Sequence, residues 1–479
     1  MNRRLAGLMI ILVLIPVFGI AYLLSTPRVE QISPLPDAAD VNAGETLRMT
    51  FSRQMDPETV IDRLTISPAV SGSYTWDGNT LIFEPDEPWP NGETVRVQLR
   101  AGARTQSWPR LTIQEDASWS FQIGYPRLAF LYPSNAAAQI YILDPQTGES
   151  VAVTGTAAGV LEYQVDPSGQ RIYFSANNGM GGSDLFRLDG IRSVFEDTDA
   201  AEGEAASLPE PVRLLSCQQD ECRFPAVSPT GKYLAFERTG FTASEHPAFP
   251  RVWLLPLQED GTAGEPELAG EENHQTLAPS WSPAGMLVYY DSHETAFVIQ
   301  DPQSGEQFVF PNQTGQPGDW TASGDAYLAP DVTMIIPKDL QPGQSGQETL
   351  ANSRLIRFTW ADEQMDDLSQ SEEVEDSFPA YSPDGSRIAF SRRYLDPTRW
   401  APGRQLWIMD AGGGAAQPLT NDPNYTHYDF EWSPQGDQIA FVRFDQTILS
   451  DPPEVWVINT QTTQAERLVP GGYSPQWIP

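Results

Sequence analysis

Short stretches in which apolar and polar residues alternate run through most of the chain. Examples are Thr46–Phe51, Thr80–Phe83 and Thr94–Leu99, which place their apolar and polar side chains on opposite faces. This period of two is typical of half-buried β-strands. Turn-forming sequences such as Asp77-Gly78-Asn79 separate the stretches. The pattern predicts two packed antiparallel sheets over residues 28–124.

A five-residue motif that ends in glycine recurs in the rest of the chain, each time before a β-rich run. The copies are Val165–Gly169, Val227–Gly231, Trp281–Gly285, Trp320–Gly324, Tyr381–Gly385 and Trp432–Gly436. In most copies proline presets φ at the first corner of a turn and glycine takes the positive-φ position, so the chain reverses tightly between two strands. A ring of such sheets buries faces that one sheet alone would expose. The motif therefore predicts a β-propeller over residues 125–479.

The two ends of this region indicate how the ring closes. Leu128–Leu131 and Gln139–Asp144 have the character of a second and a third strand with no turn motif before them. The final residues, Ser474–Pro479, match Ala278–Pro283 and stop where the turn would begin. We therefore predict that the C-terminal strand supplies the missing inner strand of the first blade. Six motifs plus this strand predict seven blades of about 51 residues, and six longer blades are the alternative.

These motifs resemble two known families. Residues 28–124 resemble the bacterial Ig-like domain of the SbsA type, and the elements that carry the resemblance are Ile32-Ser33-Pro34, Phe51–Asp56, Trp76–Leu81, Phe83-Glu84-Pro85 and Trp89–Thr94. The repeats of residues 125–479 resemble the TolB-type propeller, although Ala322 replaces the proline in one copy. The resemblances imply a spacer or adhesion module followed by an extracytoplasmic scaffold that binds proteins or small ligands. Similar propellers also precede the peptidase domain in the prolyl oligopeptidase group.

The N-terminus predicts the compartment. Arg3 and Arg4 precede an uncharged run, Leu5–Leu24, which as a helix spans roughly 30 Å, the thickness of a bilayer core. The two arginines favour a cytoplasmic N-terminus. A cleaved signal peptide is the alternative, but its apolar region is usually ~7–15 residues long and ends at small side chains. We predict that residues 1–27 are a cytoplasmic N-terminus and transmembrane signal anchor, and that the rest is periplasmic or extracellular.

The charged residues and the cysteines indicate which kinds of partner and which compartment the protein has. The 479 residues include 64 acidic and 29 basic side chains, a formal charge of −35. Such a surface repels phosphate backbones and anionic lipid, which argues against nucleic-acid binding and peripheral membrane docking. The two cysteines, Cys217 and Cys222, are predicted to pair in an oxidising compartment. A metal-binding pair is the weaker alternative, because neither a histidine nor a third cysteine accompanies them.

Motifs of catalysis are absent from the sequence. There is no Gly-x-Ser-x-Gly nucleophile turn, phosphate-binding glycine loop or calcium-loop spacing. The four histidines are dispersed along the chain. Asp291 with His293 and His427 with Asp429 are conceivable acid/base pairs, but a surface histidine beside an acid is usually incidental. We therefore expect no enzyme, no catalytic residues, no cofactor and no metal.

Binding is the better hypothesis, because the long connections are predicted on the rim opposite to the Pro/Gly turns, and long loops on a rigid scaffold carry function. These connections are Thr239–Arg251, Pro330–Asn352, Arg392–Arg404 and Phe444–Pro453, with the blade links Ile191–Pro211 and Ala361–Asp376. Aromatic residues anchor many interfaces. The predicted exposed set on this rim is Phe241, Phe249, Tyr394, Trp400 and Tyr425.

Two acidic groups lie in the blade links and are predicted to be solvated loops, with a basic partner or bound cations as the alternative. They are Glu196, Asp197 and Asp199, and Glu372, Glu373, Glu375 and Asp376.

The sequence thus predicts an all-β, membrane-anchored scaffold that binds protein or small ligands through one rim of a propeller. One alternative is a propeller enzyme acting on carbohydrate or peptide in the central funnel, which inward-facing acids or a bound metal there would favour. A structural cell-envelope protein is the other alternative.

Overall fold

The computed structural model describes residues 26–195, 209–240, 248–258, 261–335 and 350–479. The chain divides into two compact units, Met1–Tyr125 and Pro126–Pro479. Both are built almost wholly of strands, which confirms the predicted all-β class. In the described ranges no helix has both the length and the apolar character needed to cross a membrane. The predicted anchor, Leu5–Leu24, lies outside these ranges.

The first unit contains two antiparallel sheets and one short helix, α1 (Pro57–Ile61). Its strands are β1 (Val29–Ser33), β2 (Leu47–Phe51), β3 (Leu64–Ser67), β4 (Gly72–Asp77), β5 (Thr80–Pro85), β6 (Thr94–Leu99) and β7 (Ala117–Gln122). One sheet has the order β1-β2-β5-β4 and the other β3-β6-β7. The strands predicted near residues 46–51, 80–83 and 94–99 are confirmed as β2, β5 and β6.

The core of this unit follows from the alternation. In β6, Val95, Val97 and Leu99 are buried, whereas the residues between them are exposed, so the apolar side chains of one face pack inward. Trp89 is fully buried in the same cluster. Its indole Nε1 donates to the carbonyl of Glu45 at 3.0 Å, so burial of this polar group costs little.

The second unit consists of sets of four antiparallel strands, most of which are separate four-stranded sheets. Two neighbouring sets, residues 160–215 and 221–268, form one eight-stranded sheet through a parallel pairing of Ser183 with Glu221. The strands of the first sets are β8 (Arg127–Tyr132), β9 (Gln139–Leu143), β10 (Ser150–Ala152), β11 (Val160–Val165), β12 (Arg171–Asn177), β13 (Ser183–Asp189), β14 (Val212–Leu215), β15 (Glu221–Val227), β16 (Tyr233–Thr239), β17 (Arg251–Pro256) and β18 (Glu267–Leu268). A 3₁₀ turn, Ile191–Phe195, follows β13.

The later sets follow the same plan. Their strands are β19 (Thr276–Trp281), β20 (Leu287–Asp291), β21 (Ala296–Gln300), β22 (Gln307–Pro311), β23 (Asp319–Trp320), β24 (Ala326–Ile335), β25 (Leu350–Thr359), β26 (Gln364–Asp367), β27 (Val374–Tyr381), β28 (Arg387–Tyr394), β29 (Gln405–Asp410), β30 (Gln417–Pro418), β31 (Tyr425–Trp432), β32 (Gln438–Asp445), β33 (Glu454–Asn459), β34 (Ala465–Pro470) and β35 (Tyr473–Ile478).

The C-terminal strand β35 completes the set that begins the unit, as the sequence predicts. The order of that sheet is β10-β9-β8-β35, with Trp477 opposite Leu128 and Tyr473 opposite Leu131. Side chains also hold β35 to the next set, because Gln476 bridges the backbone of Tyr163 and Val165 through its amide. Strand exchange between the two ends of the unit covers the edge that β8 would otherwise expose.

The Pro/Gly motifs form tight turns that a third residue stabilises. The serine of the motif accepts the N–H of the residue five positions on, as in Ser382 with Arg387 and Ser433 with Gln438, both at 3.0 Å. The glycines take positive φ, for example +67° at Gly385. Consecutive turns also meet: Arg387 Nη2 donates to the carbonyl of Gly436 at 2.7 Å. The predicted turn rim is therefore built by direct contacts between neighbouring motifs.

Two predicted connections are wrong. Residues 330–352 are not one long loop, because β24 continues to Ile335 and β25 begins at Leu350, with Pro330 paired to Leu355. Pro330 is tolerated because β23 pairs with β24 only at Leu328 and Tyr327, so at residue 330 the strand has a ladder partner on one side. The link 361–376 is also shorter than predicted, since it contains β26 and the start of β27.

Candidate ligand-binding site

The connection between β28 and β29, residues 395–404, is fixed by backbone bonds to the segments on either side. Leu395 N–H donates to the carbonyl of Glu373, and Gly403 N–H to that of Pro423, both at 2.9 Å. A Cβ at Gly403 would lie 2.1 Å from the carbonyl oxygen of Tyr425. Only glycine fits this close approach, so the connection lies directly on the first residue of β31.

Arginines of the same region pair with carboxylates of the acidic segment 372–376. Asp376 accepts two bonds from Arg392, each at 2.7 Å, and both side chains are buried. Glu375 accepts from Arg393 at 2.5 Å and from Arg404 at 2.8 Å. Glu375 and Asp376 are therefore paired and not solvated as predicted, whereas Glu372 and Glu373 are exposed, in agreement with the predicted solvated loop.

Arg399 and Glu373 continue the network, with the guanidinium donating at 2.7 Å. Burial lowers the pKa of Arg404 from its ordinary value, and the neighbouring charge of Arg393 acts in the same direction. The guanidinium groups of Arg393 and Arg404 therefore share the single carboxylate of Glu375. The other acidic group, Glu196, Asp197 and Asp199, lies outside the described residues.

The predicted aromatic set divides into exposed and half-buried members. Phe249 and Trp400 are exposed, by 45% and 55%. Tyr394 and Tyr425 are half-buried, so their predicted exposure is wrong. Arginine guanidinium groups cover both rings: Arg399 lies 3.9 Å from the centroid of Tyr394, and Arg443 4.2 Å from that of Tyr425. Phe241 lies outside the described residues.

A cavity of about 470 Å³ opens beside this connection. Its walls combine aromatic and cationic side chains, Arg393, Tyr394, Arg399 and Trp407, with the neutral polar side chains of Gln405 and Thr420. The rings of Tyr394 and Trp407 meet edge to face at 6.0 Å, and Arg392 stacks on Trp407 at 5.1 Å. Such walls suit a planar or anionic group, because a ring can stack on them and arginine donates bonds in a fixed plane. Trp400 is next to this cavity in the chain but does not line it.

His427 lies beneath the same region and does not pair with Asp429. Its Nδ1 lies 2.8 Å from the carbonyl oxygen of Arg404, and its Nε2 is 3.9 Å from Asp422 Oδ2. Burial lowers the pKa of His427 to about 4, so the ring stays neutral near pH 7. The acid/base pair suggested by the sequence is therefore wrong, and His427 is a core residue.

Acidic side chains that the sequence reading overlooked meet on the inner strands, the first strand of each set and β35. Burial raises the pKa of Asp319 and of Asp429 to about 6. It raises that of Glu431 to about 8, with further contributions from the charges of Asp429 and Asp319. Asp319 lies on β23 and Glu431 on β31, two sets apart, so they interact across the centre where the inner strands meet.

Local backbone geometry aims these side chains. β31 has a bulge between Tyr428 and Glu431, with Asp429 at φ +59°. β35 has a matching bulge with Ser474 at φ +49°. Bulges redirect side chains. The alternation of apolar and polar residues does not reveal a bulge, so it could not predict that these acidic side chains face inward.

Asp291 pairs with a different histidine from the one suggested by the sequence. Its Oδ2 lies 2.7 Å from Nδ1 of His274, whereas its Oδ1 accepts the backbone N–H of His293 at 2.9 Å.

The predicted disulfide is present: the sulfurs of Cys217 and Cys222 are bonded to each other, with the Cα atoms 6.3 Å apart. That disulfide pins the turn before β15, and both cysteines are buried.

Comparison with known sequences decides the family of the first unit. Residues 25–123 match the family described as "Bacterial Ig-like domain". The predicted resemblance of this unit is confirmed. Among curated proteins, a 117-residue segment is 28% identical to the "Uncharacterized peptidase YuxL" of Bacillus subtilis (strain 168). The match covers 24% of this chain and only 17% of that relative.

Structural neighbours include TolB-type propeller proteins, as the repeat predicted. The structure of putative TolB from Agrobacterium tumefaciens is 16% identical, covers 73% of this chain and 92% of its own, and has a TM-score of 0.38. A puromycin hydrolase is 15% identical, with 72% of this chain and 53% of its own covered and a TM-score of 0.47. At these identities the likeness concerns the fold alone.

Proposed function

We propose that the protein is a membrane-anchored, extracytoplasmic scaffold whose second unit is a seven-bladed propeller that binds a ligand on its loop rim. The site is the cavity beside residues 395–404. The observation that supports it most directly is the cavity of about 470 Å³ whose wall includes Tyr394 in contact with Trp407 and Arg399. A volume of this size, with apolar walls and a few placed polar groups, is typical of small-ligand sites.

The ligand class follows from the walls. Three arginines, Arg392, Arg393 and Arg399, line the cavity. An anionic group, such as a carboxylate attached to a planar ring or a peptide side chain, would accept hydrogen bonds from these guanidinium groups. We infer that the ligand is a small molecule or peptide segment that carries such a group.

The test is ligand capture by full-length protein in detergent from extracts of the cells that produce it. Ala401→Trp would fill the cavity, since Ala401 lines it, without deleting any polar contact. We expect a compound or protein retained by the wild type to be lost in this variant. Phe249→Ala is the matched control, because it changes an exposed aromatic residue on another connection. Identical retention by all three proteins would exclude the cavity as the site.

Seven blades are supported by the strand sets. Besides the set closed by β35, each of the six turn motifs follows the first strand of one four-stranded set. The inner strands β31 and β11 both contact β35, so the last set reaches the first. Electron-microscopy class averages of the purified protein, viewed along the propeller axis, test the number of blades. Six or eight radial densities would contradict seven blades.

The anchor is supported by the sequence of residues 5–24. Intact-mass measurement of protein from the membrane fraction should retain Met1 or Asn2 at the N-terminus. External protease should digest the remainder in cells with a permeable outer layer. A mature chain that begins near residue 25 would favour a cleaved signal peptide.

A second candidate function is favoured by the carboxyls on the inner strands. Two acids whose environments separate their pKa values, such as Asp429 at about 6 and Glu431 at about 8, provide one ionised and one protonated group near pH 7. This is the arrangement of a general base and a general acid in hydrolysis or elimination. Carbohydrate and peptide libraries should be screened with wild type and Glu431→Gln. Any turnover that persists unchanged in the variant excludes this centre.

A further inference from the structure

Two histidines that are 19 residues apart in the chain come together at the end of the β19–β20 hairpin. Thr276 is paired with Asp291, so the residue two positions before β19 lies across from the residue two positions after β20. These residues are His274 and His293, and their rings stack with centroids 4.3 Å apart. Glu294 is next in the chain, and one donor atom from each of the three lies within 4.8 Å of the others.

One carboxylate positions all three residues. Asp291 has a side chain only 6% exposed. Its Oδ2 holds Nδ1 of His274 at 2.7 Å, while its Oδ1 accepts the backbone N–H of His293 at 2.9 Å and of Glu294 at 3.2 Å. A carboxylate on Nδ1 fixes the ring orientation and leaves Nε2 available, which is how proteins orient metal-binding histidines.

We propose that His274, His293 and Glu294 bind a divalent transition-metal ion such as Zn²⁺, with Asp291 as the orienting residue. Two imidazoles and one carboxylate are a common set for zinc. Ca²⁺ and Mg²⁺ prefer six or more oxygen ligands, so this set disfavours them. Bound zinc in such a three-ligand site keeps one position for water or for a group of another molecule.

The geometry needs little adjustment to hold the ion. Ligand atoms around a tetrahedral zinc are roughly 3.3 Å apart at Zn–N and Zn–O distances near 2.0 Å. His293 and Glu294 are exposed in the turn between β20 and β21, so their side chains can move by about 1 Å without disturbing the core. Glu271 adds a nearby negative charge that acts on His274, which favours a cation.

Zinc titration of the full-length protein, stripped with a chelator and monitored against a chromophoric competitor, tests the site. We expect one ion per chain to bind, and His293→Ala to weaken its affinity by at least about 10-fold. Asp291→Asn should weaken it by about 10–100-fold while all three ligands remain. Replacement by Co²⁺ should give the visible spectrum of a four- or five-coordinate centre in the wild type and not in His293→Ala.

Glu272→Gln is the matched control for Asp291→Asn. It also replaces a carboxylate by an amide and removes one negative charge, two residues from His274, but it removes no ligand. Its affinity should equal that of the wild type. Because His293 is exposed, its variant remains folded even if Asp291→Asn does not, and melting curves report this directly. Equal affinities of wild type and His293→Ala, or displacement of zinc by an equal concentration of Ca²⁺, would overturn the proposal.

Discussion

Arg392 and Asp376 form an ion pair with two parallel hydrogen bonds inside the second unit. Nε and Nη2 of the arginine each lie 2.7 Å from a different carboxylate oxygen. The aspartate side chain is 0% exposed and that of the arginine 8%. The arginine also stacks between the rings of Phe390 and Trp407. The pair thus joins β27 and β28 directly below the candidate cavity.

Removal of one partner should be strongly destabilising. Asp376→Ala leaves the guanidinium buried without its counter-charge, which costs about 3–5 kcal/mol of unfolding free energy. Urea denaturation followed by tryptophan fluorescence measures the change. Glu30→Ala is the control, because the Arg28–Glu30 pair is exposed and should contribute less than about 1 kcal/mol. Equal effects of the two variants would show that burial of the Asp376 pair adds nothing.

The strands were predictable wherever turn chemistry marked both ends. Each Pro/Gly motif lies between two strands of one set, because proline, glycine and the motif's serine all act within six residues. The strand at Pro330 was missed for the opposite reason. Local sequence disfavours proline in a strand, and only the absence of a second neighbour at that position permits it.

The candidate sites depend on register, which the sequence leaves open. A simple count across the hairpin around Trp281–Gly285 does not pair His274 with His293. The bulge between Leu277 and Ser280 shifts the pairing by one residue and brings the two rings together. Tyr394 was predicted to lie exposed in the connection Arg392–Arg404, but it is the last residue of β28 and is half-buried. Its cover by Arg399 depends on the fold of residues 395–404, which no local pattern encodes.

Glu431 should make stability fall as pH rises from about 4.5 to about 8. Its pKa is about 8 in the folded chain and near 4.5 when exposed, so the folded state binds the proton more tightly. Stability is therefore lost between pH 4.5 and 8, by at most about 1.4 kcal/mol per pH unit. The two aspartates, with pKa values of about 6, and the histidines of the unfolded chain titrate in the same range. The contribution of Glu431 is therefore isolated as the difference in unfolding free energy between wild type and Glu431→Gln. This difference should fall as pH rises from 4.5 to 8 and then level off, and a difference that stays constant across this range would contradict the prediction.

His427 should affect the unfolding free energy at lower pH, and there stability should fall as pH falls. The folded pKa of about 4 lies below the ordinary 6.5, so the unfolded chain takes up the proton first. Stability is therefore lost as pH falls from 6.5 to 4, again by at most about 1.4 kcal/mol per unit. The difference in unfolding free energy between wild type and His427→Asn, measured across this range, isolates the contribution. A difference that stays constant from pH 6.5 to 4 would mean that the ring is charged in the fold.

The turn glycines should differ sharply in their tolerance of a side chain. Gly385 has φ +67°, and an added Cβ would lie 3.0 Å from Cβ of Ala322 in the neighbouring turn. Gly385→Ala should cost about 1–2 kcal/mol, because L-residues are strained at positive φ. Gly412→Ala is the control, since a Cβ there meets nothing within 4 Å and its expected cost is near zero. The melting temperatures of the two variants should differ by several degrees. Equal melting temperatures would show that a side chain at residue 385 causes no backbone strain.

Trp477 should contribute much of the free energy that holds the C-terminal strand β35 against β8 at the start of the second unit. Its side chain is 7% exposed and packs with Leu128 and Phe130 of the opening set, and its Nε1 donates to the carbonyl of Glu431 at 3.1 Å. Trp477→Ala removes a large buried ring and should cost about 3–5 kcal/mol. Trp477→Phe keeps most of the packing and loses the hydrogen bond, for about 1–3 kcal/mol. Hydrogen exchange should show β8 and β35 opening together in the alanine variant. If β8 stayed protected while β35 exchanged, the opening sheet would be stable without its C-terminal strand, and the closure would not depend on this tryptophan.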